Sequence, residues 1–207
     1  MLLEFLRKNF GPGKPIFTAD AECLGLSPVN LRQQFKKLCD NHQLFRFEAG
    51  VFFLPDPDGE YYPRPSANMV AEYKYISNEC DVYGYYSGYT FANQLGLTLQ
   101  VPYKEEIVSN NATAAVREVK VGDIPFFIRR SRIAITRENA STLQLLDLLK
   151  DVEEYTDYEC EEEAPDRIKG FIRRAKITRA DVDKYIGEFP LKTYKSIYDL
   201  RLESVLA

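Results

Sequence analysis

Residues 18–54 read TADAECLGLSPVNLRQQFKKLCDNHQLFRFEAGVFFL, and this stretch decides the fold. Ala19 to Leu24 predicts a short helix capped by Thr18, and Gly25 breaks it because glycine takes a left-handed turn without steric penalty. Ser27-Pro28 opens a second helix, with a hydroxyl to accept orphan N–H bonds and proline at the first helical position. Leu31, Phe35 and Leu38 recur at helical spacing and form its buried face. Asn30, Arg32, Gln33, Lys36 and Lys37 fall on the opposite face. Arginine, asparagine and glutamine hydrogen-bond base edges, and lysine suits phosphate. Two β-prone runs, Leu-Phe-Arg-Phe and Val-Phe-Phe-Leu, flank Glu48-Ala49-Gly50 and predict a hairpin with Arg46 pointing from it. Met1 to Phe10 supplies a further helix ahead of this pair. The order helix, helix, turn, helix, hairpin is that of a winged helix-turn-helix, and its exposed side chains point to DNA. A second reading stays open. Such modules also dock proteins, and the helices and basic tail could serve a protein partner without DNA.

Working outward, the chain divides at residues 56–65, a proline-rich linker that stops any helix or central strand. The winged module occupies residues 1–55. Residues 66–150 read as an α+β domain with a small, mainly antiparallel sheet. Ser66 caps a helix over Ala67 to Asn78. Asp81 to Tyr86, Lys104 to Ser109, Ala114 to Val121 and Pro125 to Ile135 read as strands. Tyr89 to Leu95 is helical, and Glu138 or Asn139 starts a leucine-rich helix. Residues 151–207 comprise an acidic segment and C-terminal helices: one opened by Pro165, one by a capping box at Thr178-Arg179-Ala180-Asp181, and an amphipathic one over Lys192 to Leu202.

The net charge of −4 is unevenly placed. Residues 1–65 hold eight bases and eight acids, and residues 66–150 hold nine of each. The deficit falls in the final segment, where residues 151–166 carry nine acids and no base. A chain without a concentrated basic block is a poor non-specific DNA coat. Apolar runs are too short to span a bilayer, and the N-terminus lacks signal-peptide character. Cys23, Cys39, Cys80 and Cys160 are scattered, which suits a reduced, cytoplasmic setting, with Cys23 and Cys39 expected as small buried side chains.

Catalytic chemistry finds little purchase. His42 is the sole histidine, so neither a zinc set nor a nucleophile–histidine pair assembles easily. Gly11-Pro12-Gly13-Lys14-Pro15 lacks the spacing and the hydroxyl of a phosphate loop. Glu161-Glu162-Glu163 reads as a solvated run, and Tyr83, Tyr85, Tyr86 and Tyr89 as packing residues rather than a base-stacking platform. No enzyme, metal or cofactor is expected. Arg129, Arg130 and Arg132 on a strand, with Arg173 and Arg174 on a helix, form a candidate surface for a partner or for flanking DNA.

One segment, Ser87-Gly88-Tyr89-Thr90-Phe91-Ala92-Asn93-Gln94-Leu95-Gly96-Leu97-Thr98-Leu99-Gln100-Val101-Pro102, resembles the signature S-G-x-x-A-A-N-x-L-G-L-T-x-Q-V-P of the AbiEi-type antitoxins of type IV (abortive infection) toxin–antitoxin systems. The wing, with Arg46, Gly50 and Pro55, is similar to that family's I-x-R-V-x-x-G-x-Y-x-x-P pattern. The resemblance implies a cytoplasmic bacterial repressor that binds its own operator DNA through the winged helix. It implies that the remaining domain counters a nucleotidyltransferase-like toxin, directly or functionally. Within the signature, Asn93 and Gln100 are expected to brace the loop between helix and sheet by hydrogen bonds.

Overall fold

The computed structural model describes residues 1–56 and 64–206, so most of the expected linker lies outside the described residues. Two compact units emerge, residues 1–73 with 121–124, and residues 74–120 with 125–207.

In the first unit, Leu2 and Leu6 lie one turn apart and bury the inner face of α1 (Leu2–Asn9). They join Ile16, Ala21, Leu31, Phe35, Leu44, Phe52 and Leu54 in one apolar cluster. β1 (Ile16–Phe17) runs antiparallel to β3 (Val51–Phe53), which pairs on its other side with β2 (Phe45–Glu48). The expected short helix is present as a 3₁₀-helix over Thr18–Leu24, and Asp20, not Thr18, provides the cap: its carboxylate accepts the Phe17 N–H at 2.8 Å. A segment this short, pinned between a strand and a glycine, is where the tighter helix is used. Gly25 ends it in the left-handed conformation with φ 66°. Ser27 Oγ then accepts the Asn30 N–H at 3.3 Å, and Pro28 takes the first position of α2 (Pro28–Asp40). α3 (Ala67–Tyr75) starts where Ser66 Oγ accepts the Met69 N–H, and it stops three residues before the expected Asn78. Most of α3 belongs to the first unit, where the Tyr73 ring stacks on Phe17 with centroids 5.2 Å apart.

The second unit is built on a four-stranded sheet of β4 (Gly84–Tyr86), β5 (Glu105–Ser109), β7 (Ile124–Arg130) and β6 (Val116–Val121), in that spatial order. β4 pairs antiparallel with β5, but β5 pairs parallel with β7, so the sheet is mixed at its centre. β4 starts later than expected, and a Cβ at Gly84 would sit 2.0 Å from the Tyr75 carbonyl, an approach open to glycine alone. β7 stops at Arg130 instead of Ile135, and beyond it the Asn110 side chain holds the chain at Ile135. Its Oδ1 accepts the Ile135 N–H, and its Nδ2 donates to the Ile135 carbonyl.

α4 (Gly88–Leu95) follows β4, and α5 (Ala140–Leu149) buries Leu143, Leu145, Leu146, Leu148 and Leu149. The acidic segment is ordered as α6 (Val152–Tyr155) and a 3₁₀ turn at Tyr158–Cys160, anchored by buried Val152 and Cys160. α7 (Ala164–Ala175) and α8 (Arg179–Tyr185) start as expected, α8 with both capping-box bonds between Thr178 and Asp181. α9 (Leu191–Asp199) ends before the expected Leu202, where Arg201 turns left-handed at φ 51°. Phe91, Leu97, Leu145, Ile168, Ile172 and Val182 are among the residues that share the core of this unit. Among the described residues no helix is long and apolar enough to cross a membrane.

Candidate nucleic-acid interface and an interior charge network

α2 owes its orientation to Leu31 and Phe35, which are buried one turn apart, with the Phe35 ring 4.7 Å from that of Phe52 on β3. Packing this stripe against the hairpin turns the opposite arc outward. Asn30, Arg32, Gln33, Lys36 and Lys37 are all exposed on that arc. The Asn30 side chain accepts a bond from Gln34 Nε2 at 3.1 Å, and no side-chain partner engages Arg32, Gln33, Lys36 or Lys37 among the described residues. Arg46 is exposed on β2, where its Nε donates to the Glu48 carbonyl at 3.2 Å and fixes the guanidinium on the hairpin. The register shifts between Arg46 and Glu48, and this irregularity re-aims the strand at its tip. His42 is exposed in a left-handed turn just beyond α2. Arg32, Gln33, Lys36 and Lys37 thus offer donors of several shapes on one exposed helix face. Cys23, expected to be buried, is exposed, because the 3₁₀ turn places it away from the apolar cluster; all four cysteines are free.

The five arginines proposed for a partner surface do not share one role. Arg129 is turned inward, and its Nη2 donates to Asp147 Oδ2 at 2.5 Å and to Ser87 Oγ at 3.0 Å. Arg130 donates from Nε and Nη2 to the carbonyls of Ala112 and Thr113. Arg132 is exposed, and its side chain has no partner among the described residues. These three line a single cavity in the second unit. Arg173 and Arg174, exposed in the last turn of α7, do not. Among the described residues the acidic segment does not pair with them either: its ion pairs run from Glu163 to Arg167, Asp166 to Lys169, Asp151 to Lys150 and Lys192, and Glu153 to Lys195.

Asp147 is the polar centre of the second unit. It lies within the leucine run of α5 and is only 4% exposed. Ser87 Oγ donates to its Oδ2 at 2.7 Å, and Lys150 Nζ donates to its Oδ1 at 2.8 Å. Burial pushes its carboxyl up, but Arg129 and Lys150 overcome this and hold it below the usual carboxylate value. Glu106, with fewer donors, is raised by burial. The Tyr85 phenol is likewise driven up by burial, with Asp147 adding to the effect. Tyr85 is thus a core residue, and Tyr89 packs edge-on to Tyr155, in keeping with packing roles for these tyrosines. Sequence reasoning missed Asp147. Its signal was a single acid inside a helix whose neighbouring positions are all apolar.

Asn93 and Gln100 brace the loop as expected. Asn93 Nδ2 donates to the carbonyls of Thr98 and Gln100. Asp157, from the acidic segment, accepts from Thr98 Oγ1, the Leu99 N–H and Gln100 Nε2. Among the described residues no cluster of histidine, cysteine or carboxylate could hold a metal ion. Set against protein-family models and curated proteins, the chain matches none.

Proposed function

We propose that this chain is a sequence-specific DNA-binding repressor whose first unit is a winged helix-turn-helix. α2 is the recognition helix and the β2–β3 hairpin is the wing. The observation that carries this reading is the solvent-facing arc of α2, where Asn30, Arg32, Gln33, Lys36 and Lys37 stand exposed, with Arg46 exposed on the hairpin. Bidentate side chains on one helix face, with lysines toward its C-terminal half, match the division between base and phosphate contacts in major-groove readers. The element order α1, β1, 3₁₀ turn, α2, β2, β3 supports the same reading.

The similarity of residues 87–102 to the AbiEi-type signature extends the proposal. The chain autoregulates a type IV toxin–antitoxin (abortive infection) operon, and its second unit counters a nucleotidyltransferase-like toxin in the cytoplasm. The direct test is titration of the purified chain with the duplex upstream of its own gene, against a scrambled duplex of equal length, at several salt concentrations. Operator preference with a salt-dependent affinity is expected. Equal, salt-insensitive responses to both duplexes would make the first unit a protein-docking module.

A further inference from the structure

We propose that the cavity of the second unit binds a ribonucleoside phosphate. The cavity measures about 650 Å³, within the range of about 300–1,000 Å³ typical of small-molecule sites. It lies among the end of β7, α5 and the segment leading into α9, and the inference is independent of DNA binding by the first unit.

Three features of the lining define the ligand. The first is charge. Arg129 and Lys150 are committed to Asp147, and Lys192 is committed to Asp151. Among the described residues Arg130 is bonded only to backbone carbonyls, so its charge is not matched by a carboxylate, and Arg132 has no partner. Two arginines without counter-ions, two residues apart in the chain and both lining the cavity, suit a phosphate monoester dianion, for which guanidinium offers paired N–H donors. The second is Glu188. Its side chain also lacks a partner among the described residues, and it lines the same cavity. A free carboxylate would repel a bare phosphate, but it accepts hydrogen bonds from a vicinal diol, the role an acidic residue plays on the ribose of bound dinucleotides. The third is the apolar part of the lining, where Val116, Ile133 and Phe189 offer a surface for a flat heterocycle. A ligand with a dianionic end, a hydroxylated middle and an apolar planar end satisfies all three. Inorganic phosphate satisfies only the first.

Equilibrium dialysis of the full chain with AMP, GMP, CMP and UMP, and with inorganic phosphate, tests the proposal. At least one nucleotide should bind saturably, and about tenfold or more tighter than phosphate, since phosphate gains nothing from Glu188 or the apolar wall. Arg132→Glu should weaken that nucleotide about tenfold or more while leaving the melting temperature unchanged, because the parent arginine holds nothing in the fold. Glu188→Gln should reduce the preference for the ribonucleotide over its 2′,3′-dideoxy analogue. The proposal is overturned if no nucleotide saturates the parent, if phosphate binds as tightly as the best nucleotide, or if both variants bind as the parent does.

Discussion

On α2 every charged side chain stands in solvent, whereas in the second unit Arg129 and Lys150 are drawn inward around one buried carboxylate. Charges left in water can be offered to a ligand with little loss of internal structure. Charges drawn inward are held by the fold, and a substitution among them acts first on stability. The same residue types therefore serve opposite ends in the two units, and the contrast can be tested by measuring stability and DNA binding on each variant.

The largest effect is expected at Asp147. Asp147→Ala leaves Arg129, Ser87 and Lys150 facing an unmatched site and should lower stability by about 3 kcal/mol, the usual scale for removing one partner of a buried pair. Thermal melting checks this, and an unchanged midpoint would erase the distinction between the units. The pH profile sharpens it. The Asp147 carboxyl has a folded pKa below its ordinary value of 3.8, so its contribution is present above that pH and lost as pH falls through the lower folded value. Asp147→Asn should flatten that acid limb.

A smaller loss is expected at the loop clamp. Asn93→Ala removes both bonds to the Thr98 and Gln100 carbonyls and should lower stability by about 1–3 kcal/mol. Hydrogen exchange at residues 98–100 should accelerate first. If exchange there is unaltered, Asp157 holds the loop alone.

In the first unit, Ser27→Ala removes the Asn30 N–H acceptor at the start of α2 and should cost about 1 kcal/mol. Urea unfolding measures it. A loss well above that scale would mean that α2 is held by its cap more than by Leu31 and Phe35.

What the sequence made legible was local. Ser27-Pro28, Gly25, Ser66 and the Thr178–Asp181 box announce helix ends because their partners lie within a few residues. The exposed arc of α2 follows from its buried stripe by periodicity alone. Arg129 and Asp147 find each other across 18 residues, and Asp157 reaches Thr98 across 59, so their pairing depends on how strands and helices assemble. An acid in the run 151–166 looks solvated until the loop that it clamps is in place. Arg129 looked like surface for the same reason: strand alternation says which residues share a face, not what covers that face. The parallel pairing of β5 with β7 was hidden likewise, since β6 and its turn lie between them in the chain.

The claim on which the functional account turns is that α2 reads bases. Arg32→Ala, measured on the upstream duplex and on a scrambled one, tests it most directly. The account predicts a loss of about 1–3 kcal/mol on the native duplex, little change on the scrambled one, and an unaltered melting temperature, since the parent side chain is exposed and has no partner among the described residues. Undiminished preference for the native duplex in this variant would contradict it and take the recognition surface away from α2.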